Sequence, residues 1–147
     1  MKHMMIVVAD SSRARIFTVD TAHSPLNEIE TIVHPEGRMH EQDMVSDSPG
    51  KAAGKGGGGD HAFQEKIEPK EQELITFAIR IADYLESARK ANQLKKLVII
   101  AAPEFLGELR KHLSAETNEK IVYELDKNIA HHSEEDIRKH LSQFLSQ

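Results

Sequence analysis

Leu97-Val98-Ile99-Ile100-Ala101-Ala102 is an uninterrupted apolar run of strand length, and Pro103 follows it at once. A run this short and this apolar reads as a strand covered on both faces of a sheet. Pro103 suits the first turn of a helix, where its missing N–H is no loss. Phe105, Leu106, Leu109 and Leu113 then continue at helical spacing. Met4–Ala9, MMIVVA, has the same character as the first run. Two doubly covered strands belong at the centre of a sheet, and the other elements must be arranged around them.

After Met4–Ala9, Asp10-Ser11-Ser12 is a turn signal. Arg13–Asp20 alternates, with Ala14, Ile16 and Thr18 on one face and Arg15, Phe17 and Val19 on the other. Ser24-Pro25 breaks the chain again. Leu26–His34 reads as a third strand in which Leu26, Glu28, Glu30 and Ile32 oppose Asn27, Ile29, Thr31 and Val33. Short connections make these three an antiparallel meander.

Further on, Pro69 with Glu68, Glu71 and Glu73 marks a helix start. Leu74, Ala78, Ile81, Leu85 and Ala88 form its stripe, widened by Ile75, Ile79 and Ala82, and the helix should run to about Asn92. Ile121–Leu125 is the last strand. Ser133-Glu134-Glu135-Asp136 has capping-box spacing before Ile137, Leu141, Phe144 and Leu145. Gly107, inside the helix opened by Pro103, costs about 1 kcal/mol against Ala, which suggests close packing against a neighbour.

The order is β-β-β-α-β-α-β-α, and right-handed crossovers put the fourth strand beside the first and the fifth beyond it. The expected fold is α/β, three-layered, with a five-stranded mixed sheet in the order 3-2-1-4-5 and only strand 2 antiparallel, a ribonuclease-H-like arrangement. At 147 residues the chain reads as a single domain spanning 1–147. It is 39% hydrophobic and 29% charged, ordinary for a soluble globular protein. The absence of cysteine excludes disulfides and thiolate metal sites and fits a reducing cytoplasm. No stretch approaches a membrane span or a signal-peptide core, so a cytoplasmic protein is expected.

One segment stands apart. Between Pro35 and Lys66, 32 residues carry seven of the eight glycines and almost no apolar spacing. Loops this long are uncommon inside domains unless functional or disordered, and closing one costs about 3 kcal/mol. Its function is therefore the first question. The formal charge of −5 argues against a general nucleic-acid coat. Lys51 and Lys55, however, have no acidic neighbour before Asp60, which leaves room for a local phosphate contact.

The expected topology places the C-terminal ends of strands 1, 3, 4 and 5 on one edge. That edge collects Asp10 and Ser11, His34, Ala102-Pro103-Glu104 and the run Asp126 to His132. In open α/β sheets ligands favour this edge where the strand order reverses, and Asp10 and Glu104 flank that position. Three chemistries are weighed there. Asp10, Glu104 and Asp126 could bind divalent cations for nucleic-acid cleavage, although turn formation explains Asp10 equally well. His34, His40, His61, His131 and His132 could supply acid–base groups, although loop histidines are usually only solvated and no pair has H-x-x-x-H spacing. Gly56, Gly57, Gly58 and Gly59, with Lys51 and Lys55, could cradle an anion. The run Gly50–Gly56 is one residue short of a P-loop and lacks its hydroxyl. Arg13 and Arg15 read as edge charges or as binding groups together with Arg38. Phe63 reads as an anchor for the loop's return or as a partner contact. No metal and no cofactor is expected.

Ala9-Asp10-Ser11-Ser12-Arg13-Ala14-Arg15-Ile16, His34-Pro35-Glu36-Gly37-Arg38 and Ser46-Asp47-Ser48-Pro49-Gly50-Lys51 recur, with His61-Ala62, Ala101–Arg110 and Glu124–His131, in the order of the bacterial host attachment protein family. The chain resembles that family nearly end to end. The succession of strand, glycine loop, long helix and apolar strand is also similar to the middle domain of archaeal and eukaryotic class-1 peptide release factors. That similarity implies a glycine loop bearing Gly-Gly-Gln for peptidyl-tRNA hydrolysis. In this chain Gly56–Gly59 is followed by Asp60-His61, and the nearest glutamine is Gln64. The resemblances together imply an interaction or regulatory module whose glycine loop engages a macromolecular partner, RNA or a ribosome component. The alternative is a hydrolase of RNA or of an aminoacyl or peptidyl ester, using Asp10, Glu104, His61 and His131. The oligomeric state is left open.

Overall fold

A computed structural model of the chain describes residues 3–34 and 69–147. Strands β1 (Met4–Ala9), β2 (Arg13–Val19), β3 (Leu26–Val33), β4 (Lys96–Ala101) and β5 (Ile121–Leu125) form one sheet in the order β3-β2-β1-β4-β5. β1 runs antiparallel to β2 and parallel to β4, and β4 is parallel to β5. β2 and β3 are antiparallel. The helices are α1 (Pro69–Lys90), α2 (Pro103–His112), the one-turn α3 (Ala115–Asn118) and α4 (Glu134–Leu145). This is the α/β fold and strand order expected from the apolar pattern, with α3 as an addition. The two runs that set that expectation, β1 and Leu97–Ala101 of β4, are buried throughout and pair along their full length.

The sheet divides two cores. On one face Met5, Val7, Ile16, Leu97 and Ile99 pack against Phe77, Ile81 and Leu85 of α1 and Phe105 and Leu109 of α2. On the other, Ile6, Val8, Phe17, Val98 and Ile100 pack against Ile137, Leu141 and Leu145 of α4. Each fully buried large side chain contributes about 1.5–3 kcal/mol of transfer free energy. These contacts on both sides of the sheet hold the three layers together. Among the described residues no helix is long and apolar enough to cross a membrane.

Helix ends follow local chemistry. α1 stops at Lys90 rather than Asn92, yet Asn92 is what stops it. With φ 63°, Asn92 takes the left-handed conformation that Asn tolerates. Its N–H donates to Arg89 O at 2.9 Å, and Gln93 N–H donates to Ala88 O at 2.9 Å. These two bonds satisfy the last carbonyls in a Schellman arrangement. Ser133 caps α4 by accepting from Asp136 N at 3.1 Å, as its spacing suggested. α3 forms because Ser114 caps it in the same way, accepting from Thr117 N.

Three expectations are corrected. Leu26 and Ile32 do not share a face. β3 takes two steps between Glu28 and Glu30 where β2 takes one between Phe17 and Ile16, so Ile29 is an extra residue in a bulge. The alternation reverses there, and Leu26 enters the α4-side core while Ile32 enters the α1-side core. Gly107 is not packed: a Cβ on it would meet nothing within 4 Å. Ile79 does not widen the buried stripe of α1 but stays 40% exposed.

β5 has an irregularity like that of β3, since Leu97 opposes Ile121 while Val98 opposes Tyr123. Val122 is the extra residue. Both bulge residues, Ile29 and Val122, are turned out to solvent.

Candidate functional site

At the C-terminal edge, where β1 and β4 part, lies a cleft of about 260 Å³. Asp10, Ser11 and Ser12 form one wall, Lys70, Glu73 and Leu74 of α1 another, and Ala102, Glu104 and Phe105 of α2 a third. Asn128, from the loop between β5 and α4, completes it. A second hollow continues between the starts of α1 and α2, lined by Lys70, Glu71, Leu74, Glu104 and Glu108. The position is the topological switch point, as strand order alone requires.

Asp10 is placed by its own turn. Its Oδ1 accepts from Ser12 N at 2.9 Å, Ser12 Oγ at 3.2 Å and Arg13 N at 3.0 Å. One carboxylate oxygen is thus committed to holding the β1–β2 connection. Glu104, in the first turn of α2, is exposed. Glu108, one helical turn on, is bonded by His112 and Lys111, which hold its carboxyl below the usual carboxylate range.

His34 is one of two buried polar residues among those described. Its Nε2 lies 2.8 Å from Glu73 Oε1, its ring stacks on Phe77 at 5.0 Å, and its N–H donates to Ser12 O at 2.8 Å. Arg80 of α1 donates to Val33 O at 3.0 Å. The chain therefore leaves the sheet at His34 and returns at Pro69 on the edge that carries the cleft. Glu73, Lys70 and Asn128 were not singled out from the sequence. Glu73 read only as a helix-start charge, Lys70 was one basic residue beside that start, and Asn128 was one residue of a polar loop. The only signal for them was nearness to the strand ends, which topology supplies and spacing does not.

The remaining candidates separate. Asp10 and Glu104 line one cleft, whereas Asp126 and His131 do not. Arg15 reaches across the other face of the sheet. It forks onto Glu28 at 2.9 and 3.2 Å, donates through Nη1 to Ala130 O and His132 O, and lies over the Phe17 ring at 5.2 Å. With these partners Arg15 fastens the β5–α4 loop to the sheet. The same guanidinium lowers the Glu28 carboxyl from its ordinary value, and a hydrogen bond from Thr31 adds to the effect. Arg13 is partly exposed. Arg38, His40, Lys51, Lys55, Gly56, Gly57, Gly58, Gly59, His61 and Phe63 lie outside the described residues.

Among the described residues no group of three or more His, Asp or Glu side chains is arranged to hold a metal ion. The cleft instead offers three carboxylates, one ammonium group, hydroxyls and an amide over an apolar floor. Such a set can hold a polar group of a partner by charge and hydrogen bonding.

No curated protein matches the chain. Residues 5–141 match a family model described as "Protein required for attachment to host cells". The match takes in both central strands, the cleft and most of α4, and the chain belongs to this family of proteins required for attachment to host cells.

Proposed function

We propose that the protein is a non-enzymatic interaction module in which the glycine-rich stretch and the adjoining strand-end cleft together engage a macromolecular partner, RNA or a ribosome-associated component. The observation that carries this reading is the meeting of the cleft with both flanks of that stretch. Glu73 and Lys70 line the cleft, and Glu73 is bonded to His34, the residue from which the stretch departs. Lys51, Lys55 and Gly56–Gly59 supply two cations and unhindered backbone amides with no acid among them, a composition suited to phosphate. The distant similarity to the release-factor middle domain supports the same partner class. The missing Gly-Gly-Gln glutamine argues against peptidyl-tRNA hydrolysis.

The test is capture from a native lysate. Deleting residues 50–62 should leave the thermal transition in place and abolish capture of RNA or ribosomal particles. Equal capture by the deletion variant would overturn the proposal.

A hydrolase is the second reading, favoured by the placement of Asp10 and Glu104 on one cleft at the switch point. It requires turnover of labelled RNA or charged tRNA, with or without Mg²⁺ or Mn²⁺, that Glu104→Gln removes. Absence of turnover in every condition leaves the interaction reading in place.

A further inference from the structure

Three neighbouring parallel strands begin on the edge of the sheet opposite the cleft, and each is led in by a basic residue. His3 precedes β1, Lys95 and Lys96 lead into β4, and Lys120 precedes β5. The backbone holds these starts side by side. Lys95 N–H and Lys96 N–H donate to His3 O at 2.8 and 3.2 Å, and Leu97 N–H donates to Lys120 O at 2.8 Å. Lys90 closes α1 on the same side. Lys90, Lys95 and Lys96 are exposed, and Lys120 is half-buried. Among the described residues none of these four ammonium groups is in an ion pair or a side-chain hydrogen bond.

The acids on this side are partly engaged. Glu86 is held by Arg89, Ser114 and Thr117, and Glu116 acts on the Arg89 guanidinium. Glu119 precedes Lys120 at one end of the row and Asp20 follows β2 beyond the other, both exposed. Four ammonium groups are thus set against two unengaged carboxylates. The C-terminal charge of α1 accounts for Lys90, but not for Lys95, Lys96 and Lys120. Nor does Lys96 guard a sheet border, since β4 lies inside the sheet.

We infer that this rim binds the phosphate backbone of RNA, as a contact separate from the cleft. β1 is six residues long, so at about 3.3 Å per residue the two edges stand about 20 Å apart. Neighbouring strands lie about 4.8 Å apart, so the row from β1 to β5 spans about 10 Å. Over that length one nucleic-acid strand at duplex rise presents about three phosphates. A line of cations on this spacing suits a linear polyanion better than an isolated anion. Contacts of this kind position a strand without reading its sequence. The inference takes its partner class from the proposed function and nothing from the site proposed there.

The test is titration of a labelled single-stranded RNA oligonucleotide with the full chain, from about 50 to 200 mM salt. Lys95→Gln/Lys96→Gln/Lys120→Gln should make the plot of log K against log salt shallower by about 2, since each single-strand phosphate contact contributes about 0.7. Lys95→Gln/Lys96→Gln alone should make it shallower by about 1.4. Lys127→Gln/Lys139→Gln, which removes charge elsewhere, should leave the slope in place. The same decrements should appear when residues 50–62 are deleted, although the remaining binding is weaker. An unchanged slope in the rim variants would overturn the inference, as would an equal loss in the control or no binding by the wild type. Lysine-dependent binding of anionic phospholipid vesicles without binding of RNA would overturn it too. If the deletion variant bound RNA as tightly as the wild type while the rim decrements persisted, the rim would stand and the glycine-rich stretch would lose its proposed role.

Discussion

His34 Nε2 and Glu73 Oε1 stand 2.8 Å apart, joining the end of β3 to the start of α1 across the whole glycine-rich stretch. The contact is largely shielded, with the His34 side chain 7% exposed, and Phe77 closes over the ring. In a shielded position such a bond is costly to leave half made.

His34→Ala should therefore destabilise the protein by about 2–3 kcal/mol, combining a lost bond with a void against Phe77. Glu73→Gln keeps an acceptor and should cost about 1 kcal/mol. Urea unfolding of the two variants checks the order. Equal losses would show that the carboxylate charge, and not the hydrogen bond and packing, holds the junction.

The bulge at Ile29 sends Leu26 and Ile32 into different cores. Each truncation to Ala should cost about 2–4 kcal/mol. Because the two side chains share no core, the double variant should equal the sum within about 0.5 kcal/mol. Marked non-additivity in denaturant unfolding would mean that the two pack together and that the bulge is misplaced.

Glu86 of α1 ties that helix to α3. It pairs with Arg89 and accepts from Thr117 Oγ1 at 2.7 Å and Ser114 Oγ at 2.8 Å. The bond from Arg89, then those from Thr117 and Ser114, bring its carboxyl from 4.5 down to about 2. The folded state thus holds this proton less tightly than the unfolded chain. Its stabilisation is complete above pH 4.5 and is lost as the pH falls from there through about 2. Glu86→Gln should flatten that part of the stability–pH curve and lower the Tm at pH 7. An unchanged acid limb would refute the assignment.

Gly107 lies in α2 with open space where a Cβ would go. Gly107→Ala should stabilise the protein by about 0.5–1 kcal/mol, by restricting the unfolded chain and improving helix propensity. Thermal unfolding reads this directly. A loss of stability would restore the close packing that a helix-interior glycine first suggested.

The central strands were legible because burial on both faces leaves no polar alternation, so Met4–Ala9 and Leu97–Ala101 read the same way alone as in the fold. Helix starts were legible at Pro69, Pro103 and Ser133, where backbone chemistry is local. What depended on a partner strand was hidden. Nothing in LNEIETIV tells a straight strand from one with an extra residue, since the bulge is defined by the register of β2. The one-turn helix after Ser114 is too short for periodicity, and the tie of its hydroxyls to Glu86 on another helix depends on how the two helices pack. Asp10 and Glu104 could be found because strand ends are predictable. Glu73, Lys70 and Asn128 needed the angle at which α1 and the last loop cross that edge.

Both outermost strands carry an interruption, at Ile29 on one border and at Val122 on the other. An extended chain drawn alongside either border would match only a few backbone partners before its spacing failed. The sheet therefore has a built-in width. Neither rim is a straight template for another copy, and a crowded solution of this protein gains little by zipping its molecules edge to edge.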